Sequence, residues 1–433
     1  MVISMKIAFY TLGCKVNQYE TEAMREAFEK SGHTVVPDDS PFDAVVINSC
    51  TVTAESDRKT RQILNRFRRE NPNAVIVLTG CMVQAFSQES KELSAADIVV
   101  GNSDVKRVIT LTEQFIREGE RIFEVSPHKQ KAPFNTPDIT RFAERTRAYM
   151  KIEDGCDRYC SYCIIPTARG FVRSKAIANI RHEAEKLAEN GFIEAVLVGI
   201  NLSAYGKGEE INLCDAVEAV CSVEGIKRVR LGSLEPDHIS DEMLNRLRAQ
   251  EKFCPQFHLS LQSGCDKTLK RMNRHYDTAF YTDLVERIRV MFPDAAITTD
   301  IMVGFAGETQ EDFAESVEYL EKIGFAKSHV FAYSRRRGTV AYGLPEQVTR
   351  AEKTRRSRLM AEAAARSEKA FLTAQIGKVF PVLFETNEDG FYWGYTPNYS
   401  RVFVSAADSL CGEIRDVKIT AVNGDCCKGE LVE

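Results

Sequence analysis

Along the first hundred residues, short apolar runs rich in β-branched side chains end three times in small polar residues and then a cysteine. Residues 6–13 lead to Cys14, 43–49 to Cys50 and 74–80 to Cys81. Runs of this length predict strands buried on both faces, and helical periodicity over 19–30 and 56–69 fills the gaps. Strand alternating with helix predicts a parallel α/β sheet. Groups just past the carboxyl ends of parallel strands converge on one edge, so the three cysteines are expected to meet in space. Three unrelated core thiols are the plainer alternative. However, one slot repeated in three consecutive units is hard to draw by chance from 13 cysteines in 433 residues.

From residue 125 to 141 the pattern breaks into a polar, proline-bearing stretch without period, which predicts a linker. A second α/β region follows over 149–340. Strand-like runs recur at 195–199, 229–231, 256–261, 296–303 and 328–333, with helical segments such as 177–190 and 309–322 between them. Five or six strand–helix units favour a complete or partial barrel over an open sheet. A charged, alanine-rich helix is predicted from 349 to 374. Short strands then follow at 379–385, 390–395, 401–404 and 416–422, which predict a small all-β module.

Composition narrows the class of protein. Hydrophobic residues at 44% and charged residues at 27% are ordinary for a globular chain, so large-scale disorder is not expected. No run reaches the roughly eighteen apolar residues of a membrane-spanning helix. The opening Met1-Val2-Ile3-Ser4-Met5-Lys6 is too short for a secretory signal, so the expected location is the cytoplasm. In that compartment an odd number of cysteines predicts thiols, metal ligands or catalytic groups rather than a disulfide framework. A formal charge of −5 argues against a chain wrapped in nucleic acid but leaves room for a local basic face.

The sharpest motif is Cys156, Cys160 and Cys163, spaced C-x3-C-x2-C within one loop. A structural zinc site needs a fourth ligand, and the nearest candidates, His182 and Cys214, are distant in sequence. Three thiolates on a four-iron cluster leave one iron open. With Tyr162 before the last cysteine, the motif resembles the radical S-adenosylmethionine signature. That resemblance implies a [4Fe-4S] cluster whose open iron chelates S-adenosylmethionine and cleaves it to a radical that takes hydrogen from an unactivated carbon. It also implies that Tyr162, Gly199, Asn201, Ser260, Gln262 and Asp300 bind the cofactor, although a glycine after a strand is in itself an ordinary turn.

The strand-end cysteines, linker, barrel and β-module together resemble the radical methylthiotransferase family over essentially the whole chain. The most specific stretches are Thr11-Leu12-Gly13-Cys14-Lys15-Val16-Asn17-Gln18-Tyr19-Glu20, Asn48-Ser49-Cys50-Thr51-Val52-Thr53 and Ile164-Ile165-Pro166-Thr167-Ala168-Arg169-Gly170. The resemblance implies a flavodoxin- or Rossmann-like domain at 1–122, with a second, auxiliary [4Fe-4S] cluster on Cys14, Cys50 and Cys81. It further implies a linker at 123–141, a radical S-adenosylmethionine partial (βα) barrel at 142–371 and a TRAM-like β-barrel at 372–433. One S-adenosylmethionine would methylate sulfur on the auxiliary cluster, and another would provide the radical that takes hydrogen from adenine C2.

The text around Cys14 is most similar to the branch that methylthiolates N6-threonylcarbamoyladenosine at position 37 of tRNA, beside the anticodon. Other branches act on N6-isopentenyladenosine or on a ribosomal-protein aspartate, and a non-catalytic iron–sulfur RNA-binding protein is a reading from a different class. The implied partners are tRNA and an electron donor such as a flavodoxin or ferredoxin, with the chain a monomer. Lys175, Gly232 and Ala306 depart from the family's usual arginine, serine and proline, and none is a cluster ligand.

For RNA contact the candidates are Arg58, Arg61, Arg68, Arg169, Arg335 and Arg336. They lie in or near basic runs that also hold Arg141, Arg145, Arg147 and Lys151. Such runs suit a phosphate track, and each alone also suits a solvated helix face. From Leu372 onward five basic and nine acidic residues give −4. That module would therefore meet RNA through Phe391, Tyr392, Trp393, Tyr395 and Tyr399 by stacking, unless those rings form its core. The remaining cysteines, Cys214, Cys221, Cys254, Cys265, Cys411, Cys426 and Cys427, are expected to be buried or incidental thiols.

Overall fold

In the computed structural model, which describes residues 4–140, 142 and 146–432, the N-terminal apolar runs build one sheet. Its strands are β1 (Lys6–Thr11), β2 (Thr34–Val36), β3 (Ala44–Ser49), β4 (Val75–Gly80), β5 (Ile98–Val100) and β6 (Ile122–Glu124), parallel throughout in the order β2-β1-β3-β4-β5-β6. This is the flavodoxin-like doubly wound order extended by one strand. β3 is buried at all six positions, which explains a run without polar alternation. Helices α1 (Lys15–Lys30), α2 (Ala54–Glu70), α3 (Cys81–Ala85), α4 (Ser87–Lys91) and α5 (Val105–Glu118) connect the strands. The sheet runs past residue 122, because β6 pairs with β5 through Glu124. α1 begins at Lys15 rather than 19, since the polar Asn17 and Gln18 mask its first turn.

The predicted linker is packed rather than free. Tyr19 donates through its hydroxyl to the Pro137 carbonyl at 3.0 Å and to Glu183 at 2.6 Å, Asp138 pairs with Lys175 at 2.6 Å, and Ile139 is fully buried. Of the basic residues expected near the barrel entry, Arg141 and Arg145 lie outside the described residues.

The second region contains β7 (Arg147–Lys151), β8 (Glu153–Asp154), α6 (Ile165–Arg169), β9 (Arg173–Ser174), α7 (Ile177–Glu189), β10 (Glu194–Val198), α8 (Leu213–Cys221), β11 (Arg228–Leu231) and β12 (Ser233–Leu234). It continues with α9 (Asp241–Arg248), β13 (Gln256–Leu259), α10 (Asp266–Arg271), α11 (Thr278–Met291), β14 (Ala296–Val303), α12 (Gln310–Ile323) and β15 (Lys327–Ala332). Parallel pairing runs β7-β10-β11 and then β12-β13-β14-β15. β11 and β12 are one strand interrupted at Gly232. β7 and β15 do not pair among the described residues, so the barrel is partial.

α13 (Arg350–Thr373) packs on β15 and leads into a closed five-stranded barrel of β16 (Val379–Glu388), β17 (Phe391–Tyr395), β18 (Arg401–Ser405), β19 (Ile414–Asn423) and β20 (Cys426–Leu431). This module caps the amino-terminal end of the partial barrel. Arg228 donates to the Tyr395 carbonyl at 2.9 Å, Arg230 to the Pro397 carbonyl at 2.8 Å, and Arg147 pairs with Glu385 at 2.6 Å. Tyr392 belongs to the module's core, whereas Phe391 is exposed. Among the described residues no helix is long and apolar enough to cross a membrane.

Candidate active site

The sheet order reverses between β1 and β3, the point at which doubly wound sheets place ligands. Cys14 and Cys50 lie at those two strand ends, and Cys81 opens α3 beyond β4. Asn17, in the first turn of α1, ties them together. Its Oδ1 accepts from the thiols of Cys14 at 3.8 Å and Cys81 at 3.9 Å, and its Nδ2 donates to the carbonyls of Leu12 at 2.9 Å and Ser49 at 3.0 Å. Gly13 has φ +116°, and a Cβ there would stand 3.0 Å from the Cβ of Cys50. Cys50 and Cys81 are buried. Burial pushes the Cys50 thiol up and the Cys81 thiol to about 12, against the opposing pull of the Arg169 guanidinium on Cys81. As free groups these thiols keep their protons, and a metal would displace them.

The second trio lies on the loop between β8 and α6. Gly155 (φ +93°) lets that loop approach the strand after it, since a Cβ would meet the Phe171 carbonyl oxygen at 2.0 Å. The Cys156 N–H donates to the Gly170 carbonyl at 3.0 Å, and the Cys163 N–H to the Cys160 carbonyl at 2.9 Å. Burial raises Cys156 to about 12, and Cys163 is also raised, by burial and by the neighbouring Cys160. Arg274 reaches this trio from beyond α10. It donates to Cys160 Sγ at 3.1 Å, to the Tyr276 hydroxyl at 2.9 Å and to the Ser260 carbonyl at 3.2 Å, and it pairs with Glu235. Sequence reasoning did not single out Arg274, and nothing in Arg271-Met272-Asn273-Arg274 marks it before the fold is known.

α6 joins the two trios. It begins two residues after Cys163, and its last residue, Arg169, donates through Nε to Cys81 Sγ at 3.1 Å. Arg169 also donates to Asn17 Oδ1 at 2.8 Å and pairs with Glu20. Lys151 meets both Glu20 and Asp154 at 2.7 Å, and Arg173 meets Asp154 at 3.0 Å. The surrounding cations hold the Asp154 carboxyl far below the usual carboxylate range.

Three RNA-contact expectations are corrected here. Arg169 is fully buried, and Arg336 is 4% exposed, pairing with Asp57 at 2.7 Å and Thr51 at 2.6 Å, so neither is free for a phosphate. Arg68 is held by Asp97 and by the carbonyls of Pro72, Ala74 and Ala95. Arg61 and Arg335 are exposed, and exposed Arg58 pairs with Glu55.

A cavity of about 600 Å³ opens between the three domains, with Cys14, Lys15, Gly199, Gly232, Asp300 and Tyr399 among its lining. A Cβ at Gly199 would lie 2.6 Å from Glu153 Oε2 and 3.0 Å from Glu153 Cβ, so a side chain there would have to displace the buried Glu153. Asn201 is 4% exposed with both side-chain polar atoms unpartnered. Asp300 lies 3.5 Å from His258. Ser260 and Gln262 (φ +69°) contribute backbone contacts: Gln262 donates to the Asp300 carbonyl at 2.9 Å and accepts from Met302 at 2.8 Å. Tyr162 packs edge-on against Phe305 at 6.4 Å.

Glu153 is fully buried. It accepts from the Asn201 N–H at 2.7 Å, and burial holds its carboxyl well above the carboxylate range. A raised folded pKa means that its contribution is fully present below the unfolded value and is lost as pH rises toward the folded one. Glu153→Gln is therefore expected to unfold at a urea midpoint close to wild type at about pH 5 and at a higher midpoint than wild type at about pH 8. Equal offsets at both pH values would show that Glu153 is ionised in the fold.

Residues 6–101 match the family described as Uncharacterized protein family UPF0004, and residues 150–320 match the Radical SAM superfamily. The chain is 35% identical to the threonylcarbamoyladenosine tRNA methylthiotransferase MtaB of Bacillus subtilis, with 98% of this chain and 96% of that protein covered. It is 32% identical to the tRNA-2-methylthio-N(6)-dimethylallyladenosine synthase of Natranaerobius thermophilus, with 98% and 97% covered. The chain belongs to the radical S-adenosylmethionine methylthiotransferase family.

Among solved structures, the radical S-adenosylmethionine methyltransferase TsrM of Kitasatospora setae superposes with a TM-score of 0.57 at 14% identity, covering 77% of this chain and 76% of that one. At that identity the likeness concerns the fold. The donor chemistry of this methylthiotransferase suits an iron–sulfur cluster bound to S-adenosylmethionine. Three soft thiols stand on one loop, and the buried, unpartnered Asn201 amide supplies polar groups two residues from Gly199, which lines the cavity.

Proposed function

We propose that the chain converts N6-threonylcarbamoyladenosine at position 37 of tRNA to its 2-methylthio derivative. The observation that carries this reading is the pair of three-thiol sites on either side of α6, with Cys14 opening onto the same cavity as the strand ends of the partial barrel. The full-length similarity to relatives named for threonylcarbamoyladenosine tRNA supports the choice of substrate.

In this reading Cys156, Cys160 and Cys163 hold the cluster that binds S-adenosylmethionine, and Cys14, Cys50 and Cys81 hold a second, auxiliary cluster. Together these groups supply the one-electron chemistry that breaks the adenine C2–H bond, which is neither acidic nor electrophilic enough for acid–base catalysis. Arg274 and Arg169 each place a guanidinium against one thiol and so offset its negative charge once it is ligated. Gly199, Asn201 and Asp300 orient S-adenosylmethionine, Tyr162 packs the cysteine loop, and Ser260 and Gln262 hold the neighbouring strand ends through their backbones. The C-terminal module closes the floor and keeps water out. Arg58, Arg61 and Arg335 are the exposed cations left to meet RNA phosphates. The protein works as a cytoplasmic monomer and draws electrons from a flavodoxin or ferredoxin.

The test is nucleoside mass spectrometry of tRNA from a host stripped of its own methylthiotransferases and supplied with this gene. The expected result is 2-methylthio-N6-threonylcarbamoyladenosine. Unchanged N6-threonylcarbamoyladenosine in cells that accumulate the folded, iron-loaded protein would overturn the substrate.

A further inference from the structure

Lys15 follows Cys14 directly, and its side chain enters the cavity. Its ammonium lies 5.9 Å from the centre of the Tyr149 ring, and its electrostatic neighbours include Tyr399, Arg147, Arg230 and Cys14. Arg147 is matched by Glu385 at 2.6 Å and Arg230 by Glu194 at 3.0 Å. Lys327, which lines the same cavity, is answered by Glu368 at 3.2 Å, whereas among the described residues no carboxylate pairs with Lys15, so its ammonium is a positive charge left without a matching anion.

The cavity floor is built with care at the same place. Tyr399 holds φ +69°, a left-handed conformation that a bulky residue adopts only when its surroundings impose it. Asn398 imposes it by accepting from the Thr396 and Ser400 hydroxyls at 2.5 and 3.1 Å. The Tyr399 ring stacks on Tyr395 at 4.7 Å and lies beneath Arg147 and Arg230, at 5.1 and 4.6 Å. An uncharged adenosine or an isopentenyl tail would leave this positive charge unanswered, whereas a threonylcarbamoyl tail ends in a carboxylate.

We propose that Lys15 and the Tyr399 hydroxyl form the seat for the carboxylate of the threonylcarbamoyl group, so that Lys15 selects the substrate. The inference rests on the function proposed above. It couples selection to chemistry, because the residue that anchors the tail is adjacent to one that faces the cavity as an auxiliary-site thiol.

The test measures binding of the iron-loaded enzyme to three anticodon stem-loops, bearing N6-threonylcarbamoyladenosine, its methyl ester, or unmodified adenosine. Wild type is expected to favour the acid over the ester by on the order of tenfold or more, as for a charge-assisted hydrogen bond. Lys15→Gln is expected to bind acid and ester alike, with ester affinity, iron content and visible spectrum as in wild type. Lys15→Arg should keep part of the preference, and Tyr399→Phe should reduce it. If wild type prefers both modified loops to adenosine but treats acid and ester alike, the seat is elsewhere and the functional reading stands. A Lys15→Gln enzyme that keeps the full preference overturns the proposal as well. If wild type does not distinguish the modified loop from adenosine, the functional reading itself falls. Should Lys15→Gln lose iron, the wild-type acid–ester comparison and Tyr399→Phe decide.

Discussion

Cys156→Ala is expected to abolish methylthio transfer to below detection while retaining about half of the iron, whereas Cys81→Ala loses the other half and still cleaves S-adenosylmethionine. The reasoning is geometric. The two trios share no ligand and are separated by α6, with Arg169 meeting Cys81 of one and Arg274 meeting Cys160 of the other. Removing one thiol therefore strips one site and leaves the donors of the other in place. No acid–base route exists at adenine C2, so loss of the radical site has no partial substitute. Iron and sulfide per chain, 5′-deoxyadenosine release and methylthio product distinguish the cases. Product from Cys156→Ala, or complete iron loss in either variant, would contradict two independent sites.

Arg169→Met is expected to be the most destabilising single change at the domain interface. The guanidinium is fully buried and satisfies Glu20, Asn17 and Cys81 together, which lie 149, 152 and 88 residues away in sequence. Removing one partner of a buried ion pair costs about 3–5 kcal/mol, because the other is left uncompensated. Lys151 also contacts Glu20 at 2.7 Å, which places the expected loss near the lower end of that range. Arg169→Lys keeps the charge but loses the planar fork, and its thermal midpoint should fall between those of wild type and Arg169→Met. A melt of Arg169→Met coincident with wild type would remove the interface role.

The parallel N-terminal sheet and the partial barrel were legible because buried strands advertise themselves as unbroken apolar runs, and the β-module because its strands are separated by turn residues. The strand-end cysteines were legible because topology brings such positions to one edge, and Asn17 completes what the strands begin. Short strands were not legible: β2, β5 and β6 have three residues each, too few for a period to show. β20 was hidden as well, because Cys426, Cys427 and Gly429 are the positions it buries and none reads as a strand former.

Charge misled in the same physical way. Arg169, Arg336 and Arg68 look like phosphate ligands in the linear text, but their partners Glu20, Asp57 and Asp97 reach them through the fold. Arg274 and the Lys15–Tyr399 arrangement depend on contacts over long sequence separations, which no local pattern encodes.

The most direct measurement supplies reconstituted enzyme, S-adenosylmethionine, a sulfur source and a reductant with two anticodon stem-loops, one carrying N6-threonylcarbamoyladenosine and the other N6-isopentenyladenosine, and follows both by mass spectrometry. Methylthio product on the threonylcarbamoyl loop, absent from the isopentenyl loop and absent with Cys156→Ala, is the expected result. Product on the isopentenyl loop alone, or on neither while S-adenosylmethionine is being cleaved, would contradict the assignment.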